Sequence, residues 1–250
     1  MNSPVLLEWD TAHFGFPIGK TDWEGDWESL KNVVRVAKGS GLTLLYVFSP
    51  AQTCLPQDIL ETCVSVFEST RVEYVKRVIG EEIIKEKEGH YSIVSLNPAN
   101  CDINRIRELS VIAGRFSRFL NDPLIPRYKG EELFRIWGEE SVRGTLADVV
   151  FGVRNSDRSI LGFVTAKQSG ARGQIGLIAV DPIAQKSGLG AQLLTAISEW
   201  GASKRLKELR VVTQGENLPA CRFYVRHGFS PIQWQKVWHL WLRYPDPNVL

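Results

Sequence analysis

The sequence contains few residues of the kinds that bind metals or form disulfides. Its 250 residues include four cysteines and four histidines. The cysteines are scattered, and the histidines show neither HxH nor HExxH spacing. Because metal sites need such ligands at short and regular spacings, we predict no catalytic metal. Scattered thiols are also typical of a reducing compartment, so we expect a cytoplasmic protein.

A strong net charge and long apolar runs are also absent. The formal net charge is +2, which gives no general attraction to nucleic acid or to an anionic membrane. No run approaches the roughly 18 apolar residues of a membrane-spanning helix. The N-terminus MNSPVLLEWD does not have the basic start of a signal peptide. We therefore expect neither nucleic acid nor membrane among the partners.

Residues 1–95 alternate between helical and strand-like patterns. The apolar residues of Trp27–Lys38 have helical spacing, and the continuous apolar run Leu42–Ser49 predicts a buried strand. We expect a second helix over Ile59–Phe67 and a further strand over Val72–Ile79. This order of elements predicts a small N-terminal α/β domain.

Residues 96–250 form the second predicted domain. The charged stretch Glu81–Gly89 before it is predicted to be a linker or an exposed hairpin. Helices are expected over Asp102–Phe119, with Asp102 as the N-terminal cap, and over Glu131–Ser141. Strands are expected over Ser92–Leu96, Asp148–Arg154 and Ile160–Gln168.

A glycine-rich segment, QKSGLG at positions 185–190, joins the predicted strand Gln174–Val180 to a predicted helix. The N–H groups at a helix start have no intrahelical partner, and together with the helix dipole they bind phosphate or pyrophosphate. Gly188 and Gly190 would let a ligand approach the backbone closely, and the first two side chains of the segment add donors. The segment does not have the GKS/T of a P-loop or the GxGxxG spacing of a dinucleotide fold. Glycines at a helix start also occur as turn or packing residues.

A second motif begins about 30 residues further along the chain. The predicted strand Leu209–Thr213 is followed by a short predicted helix, Asn217–Val225, which ends at Gly228. The two motifs resemble motifs A and B of the GNAT family of N-acetyltransferases. In motif A the pattern is Q/R-x-x-G-x-G/A, and in motif B an asparagine opens the helix that carries a tyrosine, here Tyr224. The two motifs occur in the family's order.

The resemblance implies a mixed α/β sheet with a C-terminal GNAT fold behind the smaller N-terminal α/β domain. The sheet would split near Leu177–Val180 and Arg210–Thr213, with acetyl-CoA between the two strands as the acyl donor. The residues expected to bind acetyl-CoA are Ile178, Ala179, Val180, Gln185, Lys186, Ser187, Gly188, Leu189, Gly190, Ala191, Asn217, Ala220 and Tyr224.

Acetyl transfer from a thioester to an amine needs a stabilised oxyanion and a proton for the leaving thiolate. The resemblance makes Tyr224 the expected proton donor. The unperturbed pKa of a tyrosine, about 10, is about 1.5 units above that of a thiol, which is a small barrier for a hydrogen-bonded acid. A backbone N–H along Ile178–Val180 could meet the thioester oxygen. The sequence assigns no general base, because His227 and Glu216 have positions typical of helix ends.

The acceptor end of the molecule resembles the sugar-nucleotide acetyltransferases of the same family. The similar segments are Trp9–Phe16 near the N-terminus, the SRF of Ser117–Phe119 and the SVRGT of Ser141–Thr145. This resemblance implies a small-molecule acceptor, the 4-amino group of a dTDP-linked amino-dideoxy sugar. The residues expected to bind this acceptor are Arg118, Phe119, Tyr128 and Arg143.

Other interpretations stay open at this point. The arginines at 118, 127, 135 and 143 could bind phosphates, or they could pair with the glutamates at 131, 132, 139 and 140 on exposed helix faces. The acceptor could instead be a protein N-terminus or another small amine. A non-catalytic acyl-CoA-binding module is a further alternative. The oligomeric state is open between a monomer and a homodimer.

Overall fold

The computed structural model describes residues 3–24, 26–78 and 91–246. The helices are α1 (Glu8–Phe14), α2 (Trp27–Gly39), α3 (Gln57–Thr62), α4 (Ile103–Gly114), α5 (Arg118–Asn121), α6 (Arg127–Val142), α7 (Leu189–Ser203) and α8 (Leu218–Arg226). The strands are β1 (Val5–Leu6), β2 (Ile18–Asp22), β3 (Leu44–Pro50), β4 (Ser65–Arg77), β5 (Ser92–Ser95), β6 (Val149–Arg154), β7 (Ile160–Ser169), β8 (Arg172–Val180), β9 (Glu208–Gln214) and β10 (Ser230–Trp241).

The strands of the described residues form one mixed sheet. Their order across the sheet is β1-β2-β3-β10-β4-β9-β8-β7-β6-β5. The β2–β3 and β8–β9 pairs are parallel, and the other pairs are antiparallel. This confirms the predicted mixed α/β class.

The last strand of the chain joins the two segments that the sequence divides at residue 95. Strand β10 lies between β3 and β4 and pairs with both of them. The two segments therefore share one sheet. Their division into an N-terminal domain of residues 1–95 and a second domain of residues 96–250 stays a prediction about independent folding.

Helices cover both faces of the sheet around β7. Phe163 packs in a buried cluster with Leu109 of α4 and Phe134 of α6, whereas Val164 packs in another cluster with Leu193 of α7. Because successive side chains of a strand point to opposite faces, the α4–α6 layer and α7 lie on opposite sides of the sheet. None of the helices in the described ranges has the length and apolar character needed to cross a bilayer.

Most predicted elements appear close to their expected bounds, but the helix predicted over Ile59–Phe67 extended too far along the chain. Helix α3 ends at Thr62, and strand β4 begins at Ser65. The segment pairs with β10, in a register that joins Ser65 to Trp241. Long-range pairing of an alternating, β-branched sequence therefore overrides its local helical spacing. The predicted linker Glu81–Gly89 lies outside the described residues.

The helix predicted over Asp102–Phe119 begins as expected and then breaks. The Asp102 side chain caps α4 by accepting hydrogen bonds from the N–H groups of Asn104 and Arg105. Helix α4 ends at Gly114, and the chain turns before α5 begins at Arg118. This turn places the first residues of α5 beside the C-terminal ends of β8 and β9.

Close packing of α6 against α5 gives the first testable prediction. A Cβ on Gly130 would lie 2.3 Å from the carbonyl oxygen of Phe119, so the backbone must move to accommodate alanine. We expect Gly130→Ala to lower the free energy of unfolding by about 1–3 kcal/mol, measured by urea denaturation.

The matched control is Gly39→Ala, because a Cβ there has no atom within 4 Å and Gly39 also lies in a helix. It should be neutral or stabilise the protein by up to about 1 kcal/mol. Equal stability of the two variants would contradict the α5–α6 packing described here.

Candidate active site

A cleft opens where two neighbouring parallel strands stop pairing. Strands β8 and β9 pair up to Ile175 and Val211. Beyond this point β8 continues to Val180 and β9 to Gln214 without further pairing between them. The sequence-based expectation placed the split near Leu177–Val180, where the structure has it, whereas its β9 side begins after Val211.

A β-bulge in β8 accompanies the split. The register between β7 and β8 shifts between Val164 and Ala166. Within this bulge, the N–H of Leu177 donates to the Thr165 hydroxyl over 2.9 Å instead of to a backbone carbonyl. A Cβ on Gly176 would lie 2.8 Å from the same hydroxyl, which explains the glycine. Because a bulge bends its strand, it helps to turn the end of β8 away from β9.

Backbone donors of β8 face into this split. The N–H of Asp181 donates to Leu161 of β7, whereas the carbonyl of Val180 accepts from the Gln185 side chain. Alternate residues of a strand direct their N–H and C=O groups to opposite neighbours. The N–H groups of Val180 and Ile178 therefore point away from β7, into the cleft.

The cleft has a volume of about 1160 Å³ and two chemically different ends. One end consists of the loop and helix starts that follow β8 and β9. Its lining includes Gln185, Lys186, Gly188, Leu189, Gly190, Ala191, Asn217, Ala220 and Tyr224. The other end lies beside the α4–α5 turn. Its lining includes Phe48, Arg71, Ser117, Arg118, Phe119, Phe134 and Trp137.

The glycine-rich segment forms the N-terminus of α7, as the sequence predicts. Gly188 is the N-terminal cap and has a φ of 87°, a left-handed conformation that glycine adopts without strain. Lys186 also has a positive φ, 64°, and lines the cleft. The first N–H groups of α7 have no intrahelical acceptors, so this end of the cleft offers an array of donors to an anion.

Two side chains of this segment have local roles. The Gln185 amide donates to the Val180 carbonyl over 3.1 Å and joins the loop to the end of β8. The Ser187 hydroxyl donates to the Ala184 carbonyl, and Ser187 is absent from the described lining of the cleft. The Gln185 amide has a second N–H, so its role as a side-chain donor to a ligand stays a prediction. The other donors to an anion at this end of the cleft are the backbone N–H groups and Lys186.

Helix α8 holds the predicted catalytic tyrosine at the junction of the two ends. The side-chain oxygen Oδ1 of Asn217 accepts from the Ala220 N–H over 3.3 Å and so caps the helix. Tyr224 follows two turns later, is 3% exposed and lines the cleft. Its ring packs on Tyr74, with 5.7 Å between the ring centroids.

The surroundings of Tyr224 keep its hydroxyl protonated. Burial raises its pKa well above the ordinary value of about 10, and the neighbouring Cys221 and Tyr74 raise it further. The gap to a thiol is therefore wider than the sequence alone indicates. The protonated Tyr224 hydroxyl can donate a hydrogen bond to a developing thiolate. Because the same buried surroundings also raise the proton affinity of that thiolate, the proton can pass from Tyr224 to the sulfur.

Comparison with known proteins identifies this cleft. The model of the Acetyltransferase (GNAT) family matches residues 118–229, which include β8, the glycine-rich loop, α7, β9 and α8. This part of the chain is therefore similar in sequence to GNAT acetyltransferases. A solved structure of a conserved protein of unknown function from Staphylococcus epidermidis has a similar fold. The TM-score is 0.65 at 15% identity, and the match covers 90% of this chain and 84% of that one.

Two curated relatives are similar in sequence to part of this chain. A spore coat polysaccharide biosynthesis protein, SpsD of Bacillus subtilis, is 25% identical over 144 residues, which cover 58% of this chain and 49% of the relative. A dTDP-fucosamine acetyltransferase of Escherichia coli is 30% identical over 128 residues, which cover 51% of this chain and 54% of the relative. The matches thus span about half the length of each relative.

Only two of the four residues predicted to bind the acceptor line the cleft. Arg118 and Phe119 lie at its acceptor end, in the described lining. Tyr128 is 54% exposed, and neither it nor Arg143 belongs to that lining. Arg143 is also exposed and pairs with Glu139 over 2.7 Å on the surface of α6. The structure thus places Tyr128 near the start of α6 and Arg143 just after its end, both outside the lining of the cleft, and their role in binding the acceptor stays a prediction.

Sequence reasoning missed a buried polar pair behind Arg118. His239 of β10 is fully buried, and its Nδ1 lies 2.5 Å from a carboxylate oxygen of Asp122. Its Nε2 lies 2.8 Å from the guanidinium of Arg118. These residues are more than 100 positions apart in the chain, so no local pattern indicates their contact. The described residues contain no group of three or more His, Cys, Asp and Glu side chains that could hold a metal.

The glycine-rich loop gives a prediction about acetyl-CoA. Lys186→Glu reverses a charge beside the N-terminus of α7 without adding a side chain to a glycine. We expect the dissociation constant for acetyl-CoA, measured by calorimetry, to rise about tenfold or more, because a pyrophosphate would then meet a carboxylate.

Lys204→Glu is the matched control, since the same change occurs at an exposed residue after the other end of α7. This variant should bind acetyl-CoA like the parent protein. Similar dissociation constants for the two variants would place the pyrophosphate elsewhere.

Proposed function

We propose that the protein transfers the acetyl group of acetyl-CoA to the amino group of a small nucleotide-linked amino sugar. One observation carries this proposal. The split between β8 and β9, the phosphate-type loop before α7 and the buried Tyr224 hydroxyl all open into the same cleft. From its pyrophosphate to its thioester, an acyl-CoA would meet the loop first, then the split between the strands, and then the tyrosine.

The cleft suits acetyl-CoA in both shape and chemistry. Its volume of about 1160 Å³ is large enough for a cosubstrate and an acceptor together. The N-terminus of α7 and Lys186 would bind the pyrophosphate. The pantetheine arm carries amide groups, and the free backbone edge of β8 offers them partners of the kind that a neighbouring strand would supply.

The residues around the split can then support direct transfer. The acceptor amine, in its neutral form, attacks the carbonyl carbon of the thioester. The N–H groups of Ile178 and Val180 stabilise the resulting oxyanion, because they are held in place before the reaction begins. The C–S bond breaks, the sulfur leaves with the bonding electron pair, and the Tyr224 hydroxyl protonates it. The extra proton on the amine passes to solvent, and solvent returns a proton to the Tyr224 phenolate, which restores the enzyme.

The chemistry of the acceptor end favours a nucleotide sugar. Arg118 offers charge and hydrogen bonds to phosphate, and Phe119, Phe134 and Trp137 offer flat apolar surfaces. Two relatives carry names that concern sugars, a spore coat polysaccharide biosynthesis protein and a dTDP-fucosamine acetyltransferase. On this basis we propose a dTDP-linked 4-amino-dideoxy sugar as the acceptor.

A panel of acceptors tests the proposed substrate. Thiol release from acetyl-CoA would be followed with dTDP-4-amino-4,6-dideoxygalactose, with the same amino sugar lacking the nucleotide, and with a peptide that has a free N-terminus. We expect kcat/KM for the nucleotide sugar to exceed that of the free sugar by at least about tenfold, since binding energy from the nucleotide part contributes to the transition state.

Two other outcomes would contradict that proposal. Equal turnover of the free and nucleotide-linked sugars, or faster acetylation of the peptide, would reject the nucleotide-linked acceptor. Absence of thiol release with every acceptor, although acetyl-CoA binds, would instead favour a non-catalytic acyl-CoA-binding module.

Tyr224→Phe tests the proposed proton donor. The substitution removes one hydroxyl and keeps the ring that packs on Tyr74, so the fold and acetyl-CoA binding should survive. We expect kcat to fall by about 10²–10⁴-fold with little change in the KM for acetyl-CoA, because the lost interaction exists mainly in the transition state.

Tyr74→Phe is the matched control, since Tyr74 is also a buried tyrosine but does not belong to the described lining of the cleft. It should retain the parent kcat. A Tyr224→Phe enzyme as fast as Tyr74→Phe, with chemistry rate-limiting, would remove Tyr224 from the mechanism.

A further inference from the structure

The guanidinium of Arg118 is held in a fixed orientation at the acceptor end of the cleft. Its Cζ lies 4.1 Å from the ring centroid of Tyr46 and 4.1 Å from that of Phe119. Its Nη1 donates to Nε2 of His239 over 2.8 Å. Aromatic contacts and a directional hydrogen bond together leave the planar group little rotational freedom.

The hydrogen bonds around His239 define its tautomer. Asp122 lies 2.5 Å from Nδ1 and, as a carboxylate, can only accept, so Nδ1 carries the proton. Nε2 is then a lone-pair acceptor, which is what a guanidinium donor requires. Burial lowers the pKa of His239 to about 4, so the ring is neutral at neutral pH. The Trp241 indole N–H also donates to Asp122, over 2.9 Å, and so helps to fix the carboxylate.

Among the described residues, Arg118 has no carboxylate in direct contact, although Asp10 and Asp122 lie near enough to favour its charged form. Within residues 3–24, 26–78 and 91–246, no carboxylate forms an ion pair with it at 4.0 Å or less. Its immediate polar partner is the neutral His239 ring. Burial disfavours its charged form and lowers its pKa. The N–H groups of the fork that are not directed to His239 or Tyr46 can donate to other acceptors. An anion arriving in the cleft would offset this cost.

A second polar group at the same place has no partner. The Ser117 hydroxyl is buried and makes no hydrogen bond among the described residues, and Ser117 is 6% exposed. Ser117 precedes Arg118 in the chain and also lines the acceptor end. Buried hydroxyls are rarely left without partners. The Ser117 hydroxyl and the Arg118 fork therefore form a small set of neighbouring donors for the oxygen atoms of a ligand.

We propose that Arg118 and Ser117 bind an anionic group of the acceptor, a phosphate or a carboxylate, and that the Asp122–His239 pair positions Arg118 for it. The inference rests on the proposed acetyl transfer for its acceptor, but not for the anion site itself. Arg118 contacts the acceptor directly. His239 and Asp122 act only through Arg118, because the ring fixes the direction of its N–H groups.

Anion binding can be measured with coenzyme A present at saturation, so that the α7 loop is occupied. Calorimetry at low ionic strength would compare dTDP, inorganic phosphate and acetate with the neutral nucleoside thymidine. We expect at least one of the anions to bind more tightly than thymidine. Tighter binding of dTDP or phosphate would identify a phosphate source for the anion, and tighter binding of acetate alone would identify a carboxylate.

Variants separate the positioning role from a purely structural one. We expect Arg118→Gln to weaken the binding of the preferred anion by about tenfold or more. Arg118→Lys should be intermediate, because it keeps the charge but loses the fork. His239→Phe should weaken anion binding, whereas His239→Gln should restore much of it, since the amide oxygen can accept from Arg118. If His239→Phe does not fold, His239→Gln and Arg118→Gln can still be compared. The anion affinity of His239→Gln should be the higher of the two.

Two results would overturn the inference, and both differ from failure of the proposed function. Anions that bind no better than thymidine, or an Arg118→Gln protein with unchanged anion affinity, would leave Arg118 as a structural cation. Coenzyme A affinity is measured in separate titrations of the same proteins. Loss of coenzyme A binding by the parent protein would reject the proposed function, whereas intact coenzyme A binding with an unaltered anion affinity in Arg118→Gln would reject this inference alone.

Discussion

The separation of β8 from β9 is the constraint on which the rest of the site depends. Two parallel strands stop pairing after Ile175 and Val211, and each continues with a free backbone edge. Unpaired N–H and C=O groups inside a protein are costly, so the split needs water or a ligand to complete it. The bulge at Gly176 and Leu177 bends β8 and so helps to open the cleft. The loop before α7 and the helix α8 then lie at its edges.

Polar groups around the cleft are fixed before any ligand arrives. Backbone N–H groups of β8 are held by the sheet, and the donors at the start of α7 are held by the Gly188 cap. Tyr224 is buried, and the pKa of its hydroxyl is raised, so it is a donor and not an anion. At the far end, Asp122 and His239 hold Arg118. Preorganised donors of this kind cost little reorganisation when charge develops on a substrate.

Local patterns in the sequence located the loop and helices of the predicted acyl-CoA side, but they could not show how the acceptor side is assembled. The glycine loop, the Asn217 cap and Tyr224 each depend on spacing within one loop or helix, which the sequence displays directly. The Asp122–His239 contact joins α5 to β10 across more than 100 residues, so it depends on the sheet order. The sequence could not show the turn after Gly114 that places Arg118 in the cleft. It also could not show that Arg143, at the end of α6, faces solvent. The helix expected over Ile59–Phe67 extended too far for a similar reason. Its last residues pair with β10, which is distant in the chain.

The central claim is that the β8–β9 split holds the acetylated end of acetyl-CoA beside Tyr224. A crystal structure of the complex with acetyl-CoA tests it most directly. The account predicts a pyrophosphate at the start of α7, a pantetheine arm between β8 and β9, and a thioester oxygen at the N–H of Ile178 or Val180. The sulfur should lie within hydrogen-bonding distance of the Tyr224 hydroxyl. Well-ordered acetyl-CoA whose pantetheine lies outside the split, or whose sulfur is remote from Tyr224, would contradict the account.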